Sequence, residues 1–93
     1  MVNKLFIDVE TTGLNPFKNK LQLIGTILDD SGFTIIDPMG NVGIFKELLL
    51  DIKVLKVGHN INFDLLFLNL NGYRTVGPYF DTQIYFHFQN PLY

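Results

Sequence analysis

Two acidic residues, Asp8 and Glu10, stand two positions apart near the start of the chain. In a β-strand, residues at this spacing point to the same face of the sheet. Two neighbouring carboxylates on a core strand repel each other and resist burial unless a cation lies between them. Oxygen ligands of this kind suit Mg²⁺. We therefore predict that Asp8 and Glu10 bind metal; the alternative is a pair of acids at a solvated strand end.

A second candidate group occupies the segment 58–64, which contains Asn60 and Asp64. These two residues are four apart and therefore share one face of a helix. Asp64 falls near the start of that helix, where the helix dipole favours a negative charge. The alternative is an ordinary helix cap followed by a surface acid. We predict that Asp64 lies beside Asp8 and Glu10, at the carboxyl ends of the first and fourth strands.

Hydrophobic patterning supplies the elements that must position these residues. Strands are predicted at Lys4 to Glu10, Leu21 to Leu28, Phe33 to Ile36, Val54 to Val57 and Tyr79 to Phe80. The first strand has a nearly continuous apolar run, which is typical of a buried central strand.

Two complete helices are predicted, each with a polar cap. The first runs from about Val42 to Asp51 behind Asn41, and the second runs from Asn60 to about Leu70, where Gly72 stops it. A third helix is expected after the cap Asp81-Thr82, with its end at Pro91. The second helix is apolar around much of its axis, so we expect it to need cover on two sides.

The order βββαβαβα predicts one α/β domain over residues 1–93. A meander followed by helical crossovers gives a mixed five-stranded sheet in the order 3-2-1-4-5, with flanking helices. This is the ribonuclease H-like arrangement, and we expect it to be incomplete at the C-terminus.

Composition narrows the possible functions. The chain has 93 residues, a formal net charge of −2, only seven Lys and Arg, and no cysteine. The absence of cysteine excludes disulfides and thiol catalysis and fits a cytoplasmic location. No apolar run approaches the ~20 residues of a membrane span, so no membrane partner is expected. Without a basic face, any contact with nucleic acid would depend on metal ions that bridge acids to phosphates.

The combined motifs resemble those of the DEDD, or DnaQ-like, 3′-5′ exonucleases. They are Asp-X-Glu-Thr-Thr-Gly-Leu at 8–14 with a following Pro, Gly-His-Asn-X-X-Phe-Asp-Leu-Leu at 58–66, and Phe-Asp-Thr at 80–82. The segment 57–68 is most similar to the proofreading domain of family A DNA polymerases. The resemblance covers the chain from Lys4 to about Phe88.

The resemblance implies a role for each matching residue. Asp8, Glu10 and Asp64 match three of the family's four metal-binding carboxylates, which together hold two Mg²⁺ or Mn²⁺ ions. Four further positions match residues that contact the terminal nucleotide, with the leucine wedged against its base: Thr11, Leu14, Asn60 and Phe63. Asp81 matches no metal ligand and is expected to cap a helix, and His59 is expected to be structural.

The chain departs from the family at the third motif, which is Tyr-X-X-X-Asp or His-X-X-X-X-Asp on a later helix. The segment 83–93 contains no acid. We therefore expect the fourth carboxylate and the residue that orients the attacking water to be missing. The chain would then be a fragment, a truncated product or a remnant.

The resemblance implies hydrolysis at the 3′ end of single-stranded DNA, as in proofreading. RNA is also possible, because the segments 21–24 and 80–83 are similar to ribonuclease D. A third possibility is a catalytically silent domain that binds single-stranded ends or docks on a polymerase. The implied partners are a nucleic-acid 3′ end and the rest of a polymerase or nuclease chain.

Overall fold

A computed structural model describes residues 3–83 of the chain. The elements follow the predicted order. Five strands are present, at Asn3–Thr11 (β1), Leu21–Leu28 (β2), Thr34–Ile36 (β3), Val54–Gly58 (β4) and Tyr79–Asp81 (β5). Two helices lie between them, at Gly43–Leu50 (α1) and Ile61–Leu70 (α2).

The strands form one mixed sheet in the order β3-β2-β1-β4-β5, as predicted. The meander β1-β2-β3 pairs antiparallel, whereas β4 and β5 join in parallel through helical crossovers. Since β1 and β4 are parallel neighbours, their carboxyl ends lie at the same edge of the sheet. The ribonuclease H-like arrangement is therefore confirmed.

One face of the sheet is covered by both helices and carries the core. Strand β1 contributes Leu5, Ile7 and Val9 to this face, and they pack in one cluster with residues of both helices. The strand thus alternates buried and exposed residues. β1 is the central strand of the sheet, as predicted, but it is buried on one face only, because Phe6 points the other way and is 39% exposed.

The opposite face of the sheet, which we call the open face, carries no helix among residues 3–83. Strand register puts alternate residues of the inner strands on this face together with Phe6, Asp8 and Glu10. Several large apolar side chains on this side are exposed: Phe6, Leu23, Phe33, Ile35 and Phe80. Exposed apolar side chains grouped on one face form a surface that favours association with other apolar groups.

Helix α2 needs less additional cover than its composition indicated. Leu65, Phe67 and Leu68 are all buried against the sheet and its neighbours. Its most exposed apolar side chains are Leu66 and Leu70, which are 43% and 47% exposed. The open face of the sheet therefore exposes more large apolar side chains than α2 does.

The C-terminus of α2 confirms the predicted stop. Gly72 has a φ of +88°, a conformation that costs glycine little. The backbone N–H of Tyr73 donates to the Leu68 carbonyl at 2.9 Å, and that of Gly72 donates to Asn69 at 3.3 Å. These two bonds form a Schellman motif.

The other predicted helix signals had mixed outcomes. Asn41 lies one residue before the cap position of α1, which is Val42, and its side chain accepts a bond from Gly43 N–H at 3.2 Å. The third helix, with its end at Pro91, falls mostly outside the described residues. None of the helices described in this part of the chain has the length and apolar character to cross a membrane.

Candidate metal centre

Asp8 and Glu10 stand on the open face at the end of β1, on the same side of the strand as predicted. Both side chains are exposed. Asp8 pairs across the sheet with Gly25, and a Cβ added at Gly25 would come within 2.9 Å of the Phe33 ring. The Phe33 ring therefore lies over Gly25 on β2, in the space that a side chain at that position would occupy.

Asp64 reaches the same region from the other side of the sheet. Strand β1 pairs with β4 only from Asn3 to Phe6. Beyond that point β4 ends, and the chain turns into α2. The backbone N–H of Val9 then donates a hydrogen bond to the Asp64 carboxyl group instead of to a strand. The Asp64 side chain thus accepts a hydrogen bond from a backbone N–H that has no partner strand at this position.

Burial makes the Asp64 carboxyl group unusual. The residue is only 4% exposed. Burial, together with the charges of Asp8 and Asp81, raises the pKa of Asp64 to about 7. The bond from Val9 acts in the opposite direction, because it favours the charged form. Burial and nearby negative charges make the charged form of this carboxyl group unfavourable. A bound cation would offset both effects.

Gly58 leaves the space that this carboxyl group occupies. A Cβ at this position would lie 3.1 Å from Ile61 Cγ1 and 3.3 Å from Asp64 Oδ2. The last residue of β4 must therefore be small if the first turn of α2 is to pack against it. The motif at 58–66 contains Gly58, but the spacing of the motif residues does not explain why a glycine is needed there.

The N-terminus of α2 is capped by a different residue from the one predicted. Asn60 occupies the cap position in a left-handed conformation with φ 61°, and its side chain makes no capping bond. Instead, the Asp81 carboxylate accepts bonds from Asn60 N–H at 2.9 Å and Ile61 N–H at 3.2 Å. The left-handed backbone turns the Asn60 side chain away from the amides that a cap must reach.

The three predicted ligands are brought together only in part. The charge of Asp8 acts on the Asp64 carboxyl group, which puts these two acids in the same region. Across residues 3–83, however, no group of three or more His, Asp or Glu side chains is arranged to hold a metal ion. Two carboxylates, one of them buried, are a donor set that fits a divalent cation such as Mg²⁺. The ligand role of Glu10 stays a prediction.

The loop after β1 is held rigidly by side-chain bonds. Thr11 Oγ1 donates to the Gly13 carbonyl at 2.7 Å, and the Asn19 side chain lies 2.6 Å from where a Cβ on Gly13 would be. Leu14 follows and is 84% exposed. An exposed leucine on a braced loop is available to contact a ligand.

The remaining predicted contact residues lie on the first turn of α2 or next to it. The Asn60 side chain is exposed, and Phe63 is half-buried with its ring 4.9 Å from that of Phe67. The nucleotide-contact roles of Thr11, Leu14, Asn60 and Phe63 stay predictions, because no contact among the four is established.

An open groove of about 470 Å³ runs along the end of the sheet beside Asp8. Its rim includes His59, whose Nδ1 lies 3.1 Å from Thr82 Oγ1. The structural role of His59 stays a prediction. The groove is lined by Phe6, Ile7, Asp8, Val57, Gly58, His59 and Thr82.

Three features of this centre escaped sequence reasoning. Motif spacing contains no signal for the Val9 amide that binds Asp64 or for the contact between Gly58 and α2. Asp81 was identified as a cap, but for the helix after β5 and not for α2. Its capping of α2 follows from its position opposite Gly58, which is established only when β4 and β5 pair.

Comparison with known proteins supports this description. A family model for the 3′-5′ exonuclease matches residues 2–89. Over its full length the chain is similar to NrnC of Brucella melitensis, which has been solved bound to pGG (26% identity, TM-score 0.88) and with bound Mg²⁺ (27% identity, TM-score 0.86).

Two further proteins are similar over much of the chain. Escherichia coli RNase D, an exoribonuclease involved in structured RNA processing, matches 87% of the chain at 25% identity with a TM-score of 0.72. An uncharacterised protein of Methanocaldococcus jannaschii, MJ0365, is 36% identical over 70 residues, or 72% of the chain.

These relatives are longer than the chain. It spans 40% of the M. jannaschii protein, 47% of NrnC and 22% of RNase D. The family match nevertheless extends over nearly all 93 residues and contains each of the three motifs. The chain therefore belongs to the DEDD family of 3′-5′ exonucleases.

Proposed function

We propose that this chain contributes the first part of a metal-dependent site that hydrolyses phosphodiester bonds at nucleic-acid 3′ ends. The observation that carries the proposal is the buried Asp64 carboxyl group, on which the charge of Asp8 acts, at the carboxyl ends of two parallel strands. A buried carboxyl group beside a second acid is costly without a cation. In the exonuclease family, carboxylates at these positions bind the divalent ions used in hydrolysis, which gives this costly arrangement a chemical purpose.

Asp8, Glu10 and Asp64 would hold the divalent ions. When bound, such ions polarise the phosphoryl group and lower the pKa of an attacking water. Asp8 would contribute to binding both ions, with Glu10 contributing to one of them and Asp64 to the other. The hydrogen bond from Val9 N–H would help to hold the Asp64 carboxyl group in place.

The braced loop after β1 and the first turn of α2 would receive the terminal nucleotide. Leu14 is exposed on that loop and would wedge against the terminal base. Thr11, Asn60 and Phe63 would line the pocket around it. Fraying of an end is cheapest for unpaired nucleotides, which would favour single strands.

Two observations bear on the substrate. The matching family model is that of the exonuclease of DNA polymerase A, which supports DNA ends as the substrate. The likeness to NrnC bound to pGG and to RNase D supports short or structured RNA instead. We propose RNA or short oligonucleotide ends as the better candidate, because the fold similarity to NrnC extends over the full chain.

The direct test is release of nucleoside 5′-monophosphates from 5′-labelled strands by the purified chain with Mg²⁺ or Mn²⁺. Matched single-stranded RNA, single-stranded DNA and the dinucleotide pGG would be compared. Asp8→Ala should abolish any turnover, and Asp30→Asn, an equal loss of charge at the exposed β2–β3 turn, should not. Turnover that survives both Asp8→Ala and chelation would contradict the assignment.

A catalytically silent domain is the second candidate. It is supported by the lack of a three-ligand cluster among residues 3–83. In this case the chain would bind ends, or combine with the rest of a nuclease or polymerase chain. Mn²⁺-dependent binding of a labelled strand without product release would favour this candidate over the enzyme.

A further inference from the structure

Asp81 connects the edge of the sheet to the start of α2. Its Oδ1 accepts hydrogen bonds from the N–H groups of Asn60 and Gln83, each at 2.9 Å. Its Oδ2 accepts a third bond, from Ile61 N–H at 3.2 Å. One carboxylate thus satisfies amides at the start of α2 and in the segment that follows β5.

The neighbouring Thr82 reinforces the same connection. Its hydroxyl donates to the Gly58 carbonyl at 3.3 Å and lies 3.1 Å from His59 Nδ1. Backbone pairing also joins Gly58 to Asp81 directly. The turn from β4 into α2 is therefore held by β5 at consecutive residues.

This connection fixes a turn that is unfavourable by itself. Asn60 has a left-handed conformation, which is uncommon for a residue other than glycine. Asp64 follows Ile61 by three residues, or nearly one helical turn. The direction of the first turn therefore decides whether the Asp64 carboxyl group reaches Val9 N–H at the end of β1.

We propose that Asp81 is the positioning residue of the metal centre: by holding Asn60 and Ile61, it places the Asp64 carboxyl group against β1 and beside Asp8. The inference rests on the proposed function for its chemical purpose, but its geometric content can be tested without metal or substrate. Asp81 itself touches neither substrate nor metal in this scheme.

The experiment follows the Val9 amide by NMR hydrogen exchange in the full 93-residue chain, without divalent ions. In Asp81→Ala we expect Val9 N–H to exchange about tenfold faster or more, because its acceptor moves away. Asp81→Asn keeps one oxygen acceptor and should rescue part of the protection. Asp37→Asn is the matched control, because Asp37 makes a similar bond to Met39 N–H beside the opposite edge strand.

Unchanged Val9 exchange in both Asp81 variants would overturn the proposal. If Asp81→Ala loses protection at every β1 amide, the chain has unfolded and Asp81→Asn decides: selective loss at Val9 supports the proposal, and no selective loss refutes it.

A Mn²⁺ titration separates this inference from the proposed function. Asp81→Asn should weaken binding by about 10–100-fold, as loss of a supporting residue typically does, and Asp37→Asn should not. If the wild-type chain binds no Mn²⁺, the proposed function fails while the Val9 measurement still decides the role of Asp81.

Discussion

The backbone N–H of Val9 donates a hydrogen bond to the carboxyl group of Asp64. This bond joins the central strand to α2 at the point where β4 has ended. It also aims a buried acid at Asp8, the one acid of the first motif whose charge acts on it. The stability of this region and its affinity for cations should therefore be coupled.

The Asp64 carboxyl group should make stability depend on pH. Its pKa is raised from 3.8 to about 7 in the folded chain, so the folded state holds a proton that the unfolded state releases. This contribution is present below about pH 4 and is lost as the pH rises through 7. Asp64→Asn is neutral and keeps an oxygen for Val9 N–H. It should raise the melting temperature above pH 7 by about 4–8 °C, equivalent to about 1 kcal/mol.

The measurement is a series of thermal melts from pH 4 to pH 8 without divalent ions. The difference between Asp64→Asn and wild type should grow with pH over this range. Asp30→Asn serves as the control for a lost charge and should show no such growth. A difference that is flat with pH would mean that Asp64 is not held protonated.

A divalent cation should relieve the same unfavourable charge. At pH 8, Mg²⁺ or Mn²⁺ at ten times its dissociation constant should stabilise the wild-type chain by about 1.4 kcal/mol. Asp8→Asn and Asp64→Asn should each remove most of this gain, since each loses a ligand. Calorimetric melts in Ca²⁺-free buffer with the added ion, compared with melts in chelator, would measure this gain in stability. An equal gain in Asp8→Asn would mean that the ion binds elsewhere.

Gly58→Ala should disturb the centre through packing alone. The new Cβ would lie 3.1 Å from Ile61 and 3.3 Å from Asp64 Oδ2, so the first turn of α2 must shift by a few tenths of an ångström. We expect a loss of about 1–3 kcal/mol in the free energy of unfolding and weaker Mn²⁺ binding. Gly32→Ala is the matched control, because a Cβ there meets nothing within 4 Å. Equal stability of the two variants in denaturant titrations would argue against the tight contact.

The open face should bind apolar ligands nonspecifically. Ile35 lies on the edge strand β3 and is 60% exposed. Ile35→Thr keeps the β-branched shape that suits a strand and should lower the fluorescence of a dye that reports exposed apolar surface. Ile52→Thr, at a residue that is 74% exposed outside the sheet, should have a smaller effect. An equal decrease in both variants would mean that the exposed residues of this face do not act as one patch.

The fold was largely predictable because its determinants are local and periodic. Apolar patterning located the strands, Gly72 located the end of α2, and the order of elements allowed few sheet topologies. The spacing of Asp8 and Glu10 also fixed their common face, since the strand period is two. These conclusions required no knowledge of which residues meet in space.

The tertiary structure decided the rest. Only the pairing of β5 with β4 brings Asp81 to the start of α2, and only the early end of β4 leaves Val9 N–H for Asp64. Burial, and with it the raised pKa of Asp64, arises from neighbours that are distant in sequence. The sequence by itself determined the elements, the family motifs and the face of each acid. The structure determined which acids meet, because electrostatics and packing depend on distances that no spacing along the chain specifies.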